Sequence, residues 1–180
     1  MPKSFVAGSC RLLDTGADQI VLSNAAAQRL GLVVKSIANP GTGASGNYSA
    51  GMTTIDNLAV SNFKQSGITA YVVPFPEEFI YDGVLGVPFF AALRTTLDYQ
   101  QHTVTLRSPD APFELDPGAM QIPMRVESGK LLVQANAAGV MSWFSVDTGA
   151  GNAIMFFTQM SSKTAPRRKR GSKLASTLWC

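Results

Sequence analysis

Two short stretches of this chain carry the residue types that hydrolytic chemistry needs. "RLLDTGADQIVLS" spans residues 11–23 and "WFSVDTGAGNAIMFF" spans residues 143–157. Each puts an aspartate, Asp14 or Asp147, directly after apolar residues, follows it with Thr-Gly-Ala, and then returns to apolar residues. A carboxylate at the point where a strand enters a core is costly unless it has a task or a partner. Two carboxylates held about 3 Å apart cannot both ionise; they share one proton, and their apparent pKa values split. The ionised member activates a water, and the protonated member polarises a carbonyl. Such a pair titrates as a unit. Taken alone, Asp14 could equally cap a turn through its side chain. The repeat is what raises the question of a pair.

Other chemistries have little to draw on. His102 is the single histidine, in "DYQQHTVTL", where it reads as a solvated turn or strand residue and has no orienting motif around it. Cys10 and Cys180 stand near opposite ends without metal-ligand spacing, so neither a disulfide framework nor a metal site is expected. No cofactor motif is present. The formal charge of +3 comes from the end of the chain: Lys163, Arg167, Arg168, Lys169, Arg170 and Lys173 are six of its fifteen cations. Residues 1–162 carry nine positive against twelve negative charges.

The elements that would position the aspartates follow from pattern. Residues 5–22 read as strand, turn at Ala7-Gly8-Ser9, strand, Asp-Thr-Gly turn and strand. "NAAAQRLGL", residues 24–32, is rich in helix formers, with Asn24 as a cap and Gly31 as a stop. Residues 39–51, "NPGTGASGNYSAG", are a glycine-rich hairpin tip or loop. Alternation over 52–74 predicts strands. "PEEFIYDGVLGVPFFAAL" predicts a loop, a buried strand and a short helix. "RTTLDYQQHTVTLR" predicts a hairpin turning near Gln100-Gln101. Residues 108–118 hold three prolines and three acids and form a linker. Strands resume from residue 119, so strand, turn, strand, Asp-Thr-Gly-Ala and apolar run occur twice.

Asp14-Thr15-Gly16-Ala17-Asp18 between apolar strands, a glycine-rich hairpin, then Val84-Leu85-Gly86 leading into a helix resemble the retropepsin-like aspartic proteases. "LDYQQHTVTL" resembles the closing hairpin of bacterial members. The resemblance covers roughly residues 5–107 in order. It implies a mainly β fold: a lobe with a closed, barrel-like sheet and one or two short helices over 1–107, a linker over 108–118, part of a second lobe over 119–158 and a basic disordered tail over 159–180. It implies aspartic-type peptide hydrolysis with Asp14 and Asp147 catalytic. Thr15, Gly16, Thr148 and Gly149 support the two loops, with each threonine hydroxyl bonding across to the other. Ala17, Asp18, Gly43 and Gly46 lie along the substrate, the last two in a flap whose tip falls within Gly41–Gly46.

The sequence departs from that pattern in places. Retroviral members pair the acid at Asp18 with an arginine after the Leu-Gly glycine, but Val87 and Pro88 follow Gly86, so Asp18 is either a substrate contact or a solvated loop acid. Gly151 stands at its counterpart in the second copy. The interval from Asp14 to Gly86 is 72 residues, whereas 33 follow Asp147. A complete second lobe does not fit there, as in a two-lobed enzyme clipped at both ends or with a changed reading frame after about residue 158. Three functional readings therefore stand. One is a protease whose Asp14 pairs with Asp147, or with Asp14 of a second copy in a homodimer through the first lobe. Another is an incompetent lobe that only binds peptides or partners. The third is nucleic-acid binding by "RRKRGSK", which its lack of interleaved aromatics disfavours. No apolar run reaches the length of a membrane span, and the first residues lack a secretory core. Taken as it stands, the chain is expected to be cytoplasmic, with peptide or protein as substrate and no membrane partner.

Overall fold

The computed structural model describes residues 4–5, 11–37, 41–43, 46–137, 139–150 and 178–179. Among the described residues it is mainly β, with two short helices. The Ala7-Gly8-Ser9 turn, both cysteines, the end of the second copy from Gly151 and the tail through residue 177 lie outside the described residues.

The described residues begin with β1 (Ser4–Phe5), β2 (Arg11–Leu13) and β3 (Val21–Ser23), and α1 (Asn24–Arg29) follows directly. The sequence points to Asn24 as the helix cap, but the structure uses Ser23. Its hydroxyl accepts from the Ala26 N–H at 3.0 Å, since β3 runs straight into the helix and leaves Ser23 as the last extended residue. At the other end Gly31 donates to Gln28 and Leu32 to Ala27, at 2.9 Å each. This closes the last carbonyls as a Schellman turn.

Then come β4 (Lys35–Ser36), the hairpin strands β5 (Gly41–Gly43) and β6 (Gly46–Tyr48), and the long pair β7 (Gly51–Val60) and β8 (Phe63–Val73). The glycine-rich stretch is thus an antiparallel hairpin in which Gly43 faces Gly46. β9 (Gly83–Leu85) leads into α2 (Val87–Phe90), with Pro88 in its first turn, where a missing N–H costs nothing. β10 (Arg94–Asp98) and β11 (Thr103–Arg107) form the expected hairpin. His102 sits exposed in its turn at φ 53°.

The main sheet runs β1-β7-β8-β3-β9-β2, and then β15 (Leu178–Trp179), with β4 on the side of β7. β2 and β3 are consecutive, yet β9 lies between them, parallel to β2 and antiparallel to β3. The loop joining β2 to β3 must therefore arch over the end of β9, and that loop carries Asp14. Leu13, Ile20, Leu22, Ile55, Leu58, Val72, Leu85 and Phe89 fill the space beneath it. Each such side chain contributes about 1.5–3 kcal/mol by leaving water, so the loop rests on a rigid base.

The second copy begins a separate three-stranded antiparallel sheet of β12 (Met124–Glu127), β13 (Lys130–Ala137) and β14 (Val140–Ser145). Between it and β11, Arg94 donates to the carbonyls of Pro109 and Ala111 and lies 5.0 Å over the Phe113 ring. No described helix is long and apolar enough to cross a membrane.

Candidate active site

The loop after β2 is held from below by β9. Asp14 N donates to Leu85 O at 3.1 Å, and Val87 N donates to Ala17 O at 2.9 Å. Gly86 lies so close under this loop that a Cβ there would stand 2.2 Å from Gln19 O and 2.6 Å from Ala17 O. The Val84-Leu85-Gly86 run is therefore the floor on which the Asp14 loop sits. Two of its residues supply pairing and apolar bulk, and the third leaves room.

The loop after β14 meets the first one face to face. Thr15 Oγ1 donates to Val146 O at 2.7 Å and accepts from Thr148 N at 3.2 Å. Thr148 Oγ1 donates to Leu13 O at 2.7 Å and accepts from Thr15 N at 3.1 Å. Four hydrogen bonds thus relate the loops by an approximate two-fold axis, each hydroxyl both giving and receiving. The same symmetry appears in the carboxyl groups. Gly16 N donates to Asp14 Oδ1 at 2.8 Å, and Gly149 N donates to Asp147 Oδ1 at 2.9 Å. A Cβ on Gly16 would fall 2.3 Å from Asp147 Cγ, and one on Gly149 would fall 2.5 Å from Asp14 Cγ. Each glycine is the gap into which the opposite carboxyl group fits.

The two carboxyl groups are close enough for the charge of Asp147 to act on Asp14. Asp14 is half-buried and Asp147 exposed. Burial first, and the charge of Asp147 second, push the Asp14 carboxyl above the ordinary carboxylate range, while the N–H groups of Gly16 and Ala17 pull the other way. Tyr81 is near enough to feel the site: burial, and then the charge of Asp14, push its phenol up. It belongs to a cluster with Phe75 and Phe79, at ring-centroid distances of 5.5 and 4.9 Å.

Of the residues expected at the site, Asp14, Thr15 and Gly16 meet Asp147, Thr148 and Gly149, and Val84, Leu85 and Gly86 lie beneath. Ala17 sits half-buried over Val87. Asp18 is exposed and lies against the turn at Gly129. Gly43 and Gly46 close the hairpin pairing, with its two tip residues outside the described residues. The sequence reading missed Tyr81, which stands two residues before a recognised glycine-bearing strand, and the carbonyls of Leu13 and Val146, which any residue type would supply. Among the described residues no three His, Cys, Asp or Glu side chains gather as metal ligands would.

Residues 11–89 match the family model described as "Aspartyl protease". A crystal structure of a retropepsin-like aspartic protease from Rickettsia conorii is similar over 46% of this chain and 69% of that one, at 25% sequence identity and a TM-score of 0.35. Among curated proteins none matches this chain.

Proposed function

We propose that this chain, whose residues 11–89 match the aspartyl protease family model, hydrolyses peptide bonds with Asp14 and Asp147 as an intrachain dyad. The observation that supports this reading is the two-fold exchange of hydrogen bonds between the Thr15 and Thr148 loops, with the charge of Asp147 acting on Asp14 beside it. The burial difference supports a division of labour. Asp14, the half-buried member, holds the shared proton, and Asp147, the exposed one, is the base.

In the proposed reaction a water between the carboxyls gives its proton to Asp147 as its oxygen bonds to the peptide carbonyl carbon. Asp14 hydrogen-bonds the carbonyl oxygen and stabilises the charge that develops there. Collapse of the tetrahedral intermediate breaks the C–N bond, and the amine leaves with the proton from Asp147. The β5–β6 hairpin is the proposed cover, excluding water while the intermediate forms.

The test is the pH profile of hydrolysis of a mixed peptide library by the wild-type chain, Asp14→Asn and Asp147→Asn. A bell on the acid side, abolished by either substitution, is the expected result. Activity surviving Asp147→Asn would instead favour an Asp14 pair in a homodimer. That dimer would need the same Thr15 and Gly16 surface that Thr148 and Gly149 occupy here, so the second sheet would have to leave it, and a fragment ending near residue 110 should then dimerise by sedimentation and keep the activity. A folded chain without hydrolysis at any pH would leave only a peptide-binding lobe.

A further inference from the structure

Besides the threonine joint, the second sheet touches the first lobe's aspartate loop through the β12–β13 turn. Glu127 pairs with Lys130, leaving Ser128 and Gly129 as a two-residue turn with φ 51° and 73°. Both values are positive, as a type I′ turn requires. A Cβ on Gly129 would stand 2.8 Å from the Cβ and 3.5 Å from the Cα of Asp18. The turn therefore rests on the last residue of Asp14-Thr15-Gly16-Ala17-Asp18 with no space for a side chain.

The route from this contact to Asp147 is short. Two residues beyond Gly129, Leu131 O accepts from Val146 N at 2.9 Å. Leu132 pairs with Ser145. Val146 directly precedes Asp147, and its carbonyl is the acceptor for Thr15 Oγ1. A shift at Gly129 is thus handed through one backbone hydrogen bond to the residue that carries Asp147. The threonine joint alone is a pivot close to the two-fold axis. The turn on Asp18 is a second support away from it, and two supports fix a rotation that one leaves open.

We propose that Gly129 is a positioning residue: its contact with Asp18 sets the angle at which Asp147 faces Asp14. This rests on the dyad reading above and gives Asp18 a task within the protein.

Three variants separate contact from backbone strain. Gly129→Ala meets Asp18 and also strains a positive φ. Gly139→Ala strains a comparable φ of 85° in the β13–β14 turn, with nothing within 4 Å of the added carbon. Gly129→Ala with Asp18→Gly keeps the strain and removes the side chain in the way. The first readout is the side-chain carboxyl titration of Asp14 by NMR, which needs no turnover. Asp147 is the ionisable group whose charge acts on Asp14, Tyr81 feels the charge of Asp14 in turn, and Asp147→Asn gives the reference for a lost neighbour. The expected result is that Gly129→Ala moves the Asp14 titration towards that reference. Gly139→Ala leaves it at the wild-type position, and the double variant restores it. The second readout is kcat, for which an ångström of misplacement predicts a loss of about 100-fold in Gly129→Ala alone. An unmoved Asp14 titration in Gly129→Ala, or an equal movement in Gly139→Ala, overturns the proposal. A chain that shows these titrations but hydrolyses nothing keeps the positioning role and overturns the peptidase reading instead.

Discussion

Removing one hydroxyl from the threonine joint should loosen the two aspartate loops from each other measurably. Thr148→Val keeps shape and β-branching but deletes the group that donates to Leu13 O at 2.7 Å and accepts from Thr15 N at 3.1 Å. Two neutral hydrogen bonds at about 0.5–1.5 kcal/mol each give a loss of about 1–3 kcal/mol. The upper part of that range applies, because Thr15 is only 7% exposed and its N–H would be left without a partner. Thr15→Val removes the donation to Val146 O at 2.7 Å and the acceptor of Thr148 N at 3.2 Å, again two bonds. All four bonds join the same two loops. The first substitution therefore lets the loops part, and the second should cost less than it does alone, with a coupling of about 0.5–3 kcal/mol. Serine at either position keeps the hydroxyl and should restore most of the loss. The assay is urea denaturation of the four members of the cycle, read as midpoints at constant slope. Each valine variant within about 0.5 kcal/mol of wild type, the range of an ordinary surface substitution, would refute the joint. So would two losses that simply add.

Two other expectations concern the carboxyl groups themselves. Gly16→Ala puts a Cβ 2.3 Å from Asp147 Cγ and Gly149→Ala puts one 2.5 Å from Asp14 Cγ. Each should lower kcat by about 100-fold with a smaller change in KM, and a loss in only one of them would show that the loops are not equivalent. The raised carboxyl of Asp14 also makes stability depend on pH. The folded state holds that proton more tightly than the unfolded chain, whose value lies near 3.8. Its contribution is complete below that value and is lost as pH rises through the higher folded one. Melting temperature should therefore fall across this window in the wild type, whereas Asp14→Asn should lack that fall and melt higher above it. Parallel curves would contradict the burial of Asp14.

Much of the fold was legible from short-range features. The alternation over residues 52–74 became β7 and β8. "YDGVLGVPFF" became a strand followed by a helix, and the turn near Gln100-Gln101 came out between β10 and β11. The glycine-rich stretch paired as a hairpin. In each case neighbours a few residues apart decide the outcome, through backbone sterics and the period of apolar side chains. Even so, the cap of α1 moved from Asn24 to Ser23, because the exact end of β3 is set by its pairing with β8 and not by the helix.

The repeated Asp-Thr-Gly-Ala was visible at once, but what the two copies do to each other was not. The hydroxyl of Thr15 reaches a carbonyl 131 residues away, and that of Thr148 one 135 residues away. The acceptors are main-chain oxygens of Leu13 and Val146, which carry no mark of residue type. β9 entering between β2 and β3 and Gly129 resting on Asp18 are of the same kind. The sequence by itself determined which residues were able to act, since residue type and turn chemistry are local properties of the chain. Only the tertiary structure decided which of them meet. Closing contacts over such separations is entropically unfavourable until buried apolar side chains such as Leu22, Ile55, Leu58 and Phe89 offset it, and that gain depends on how whole faces pack.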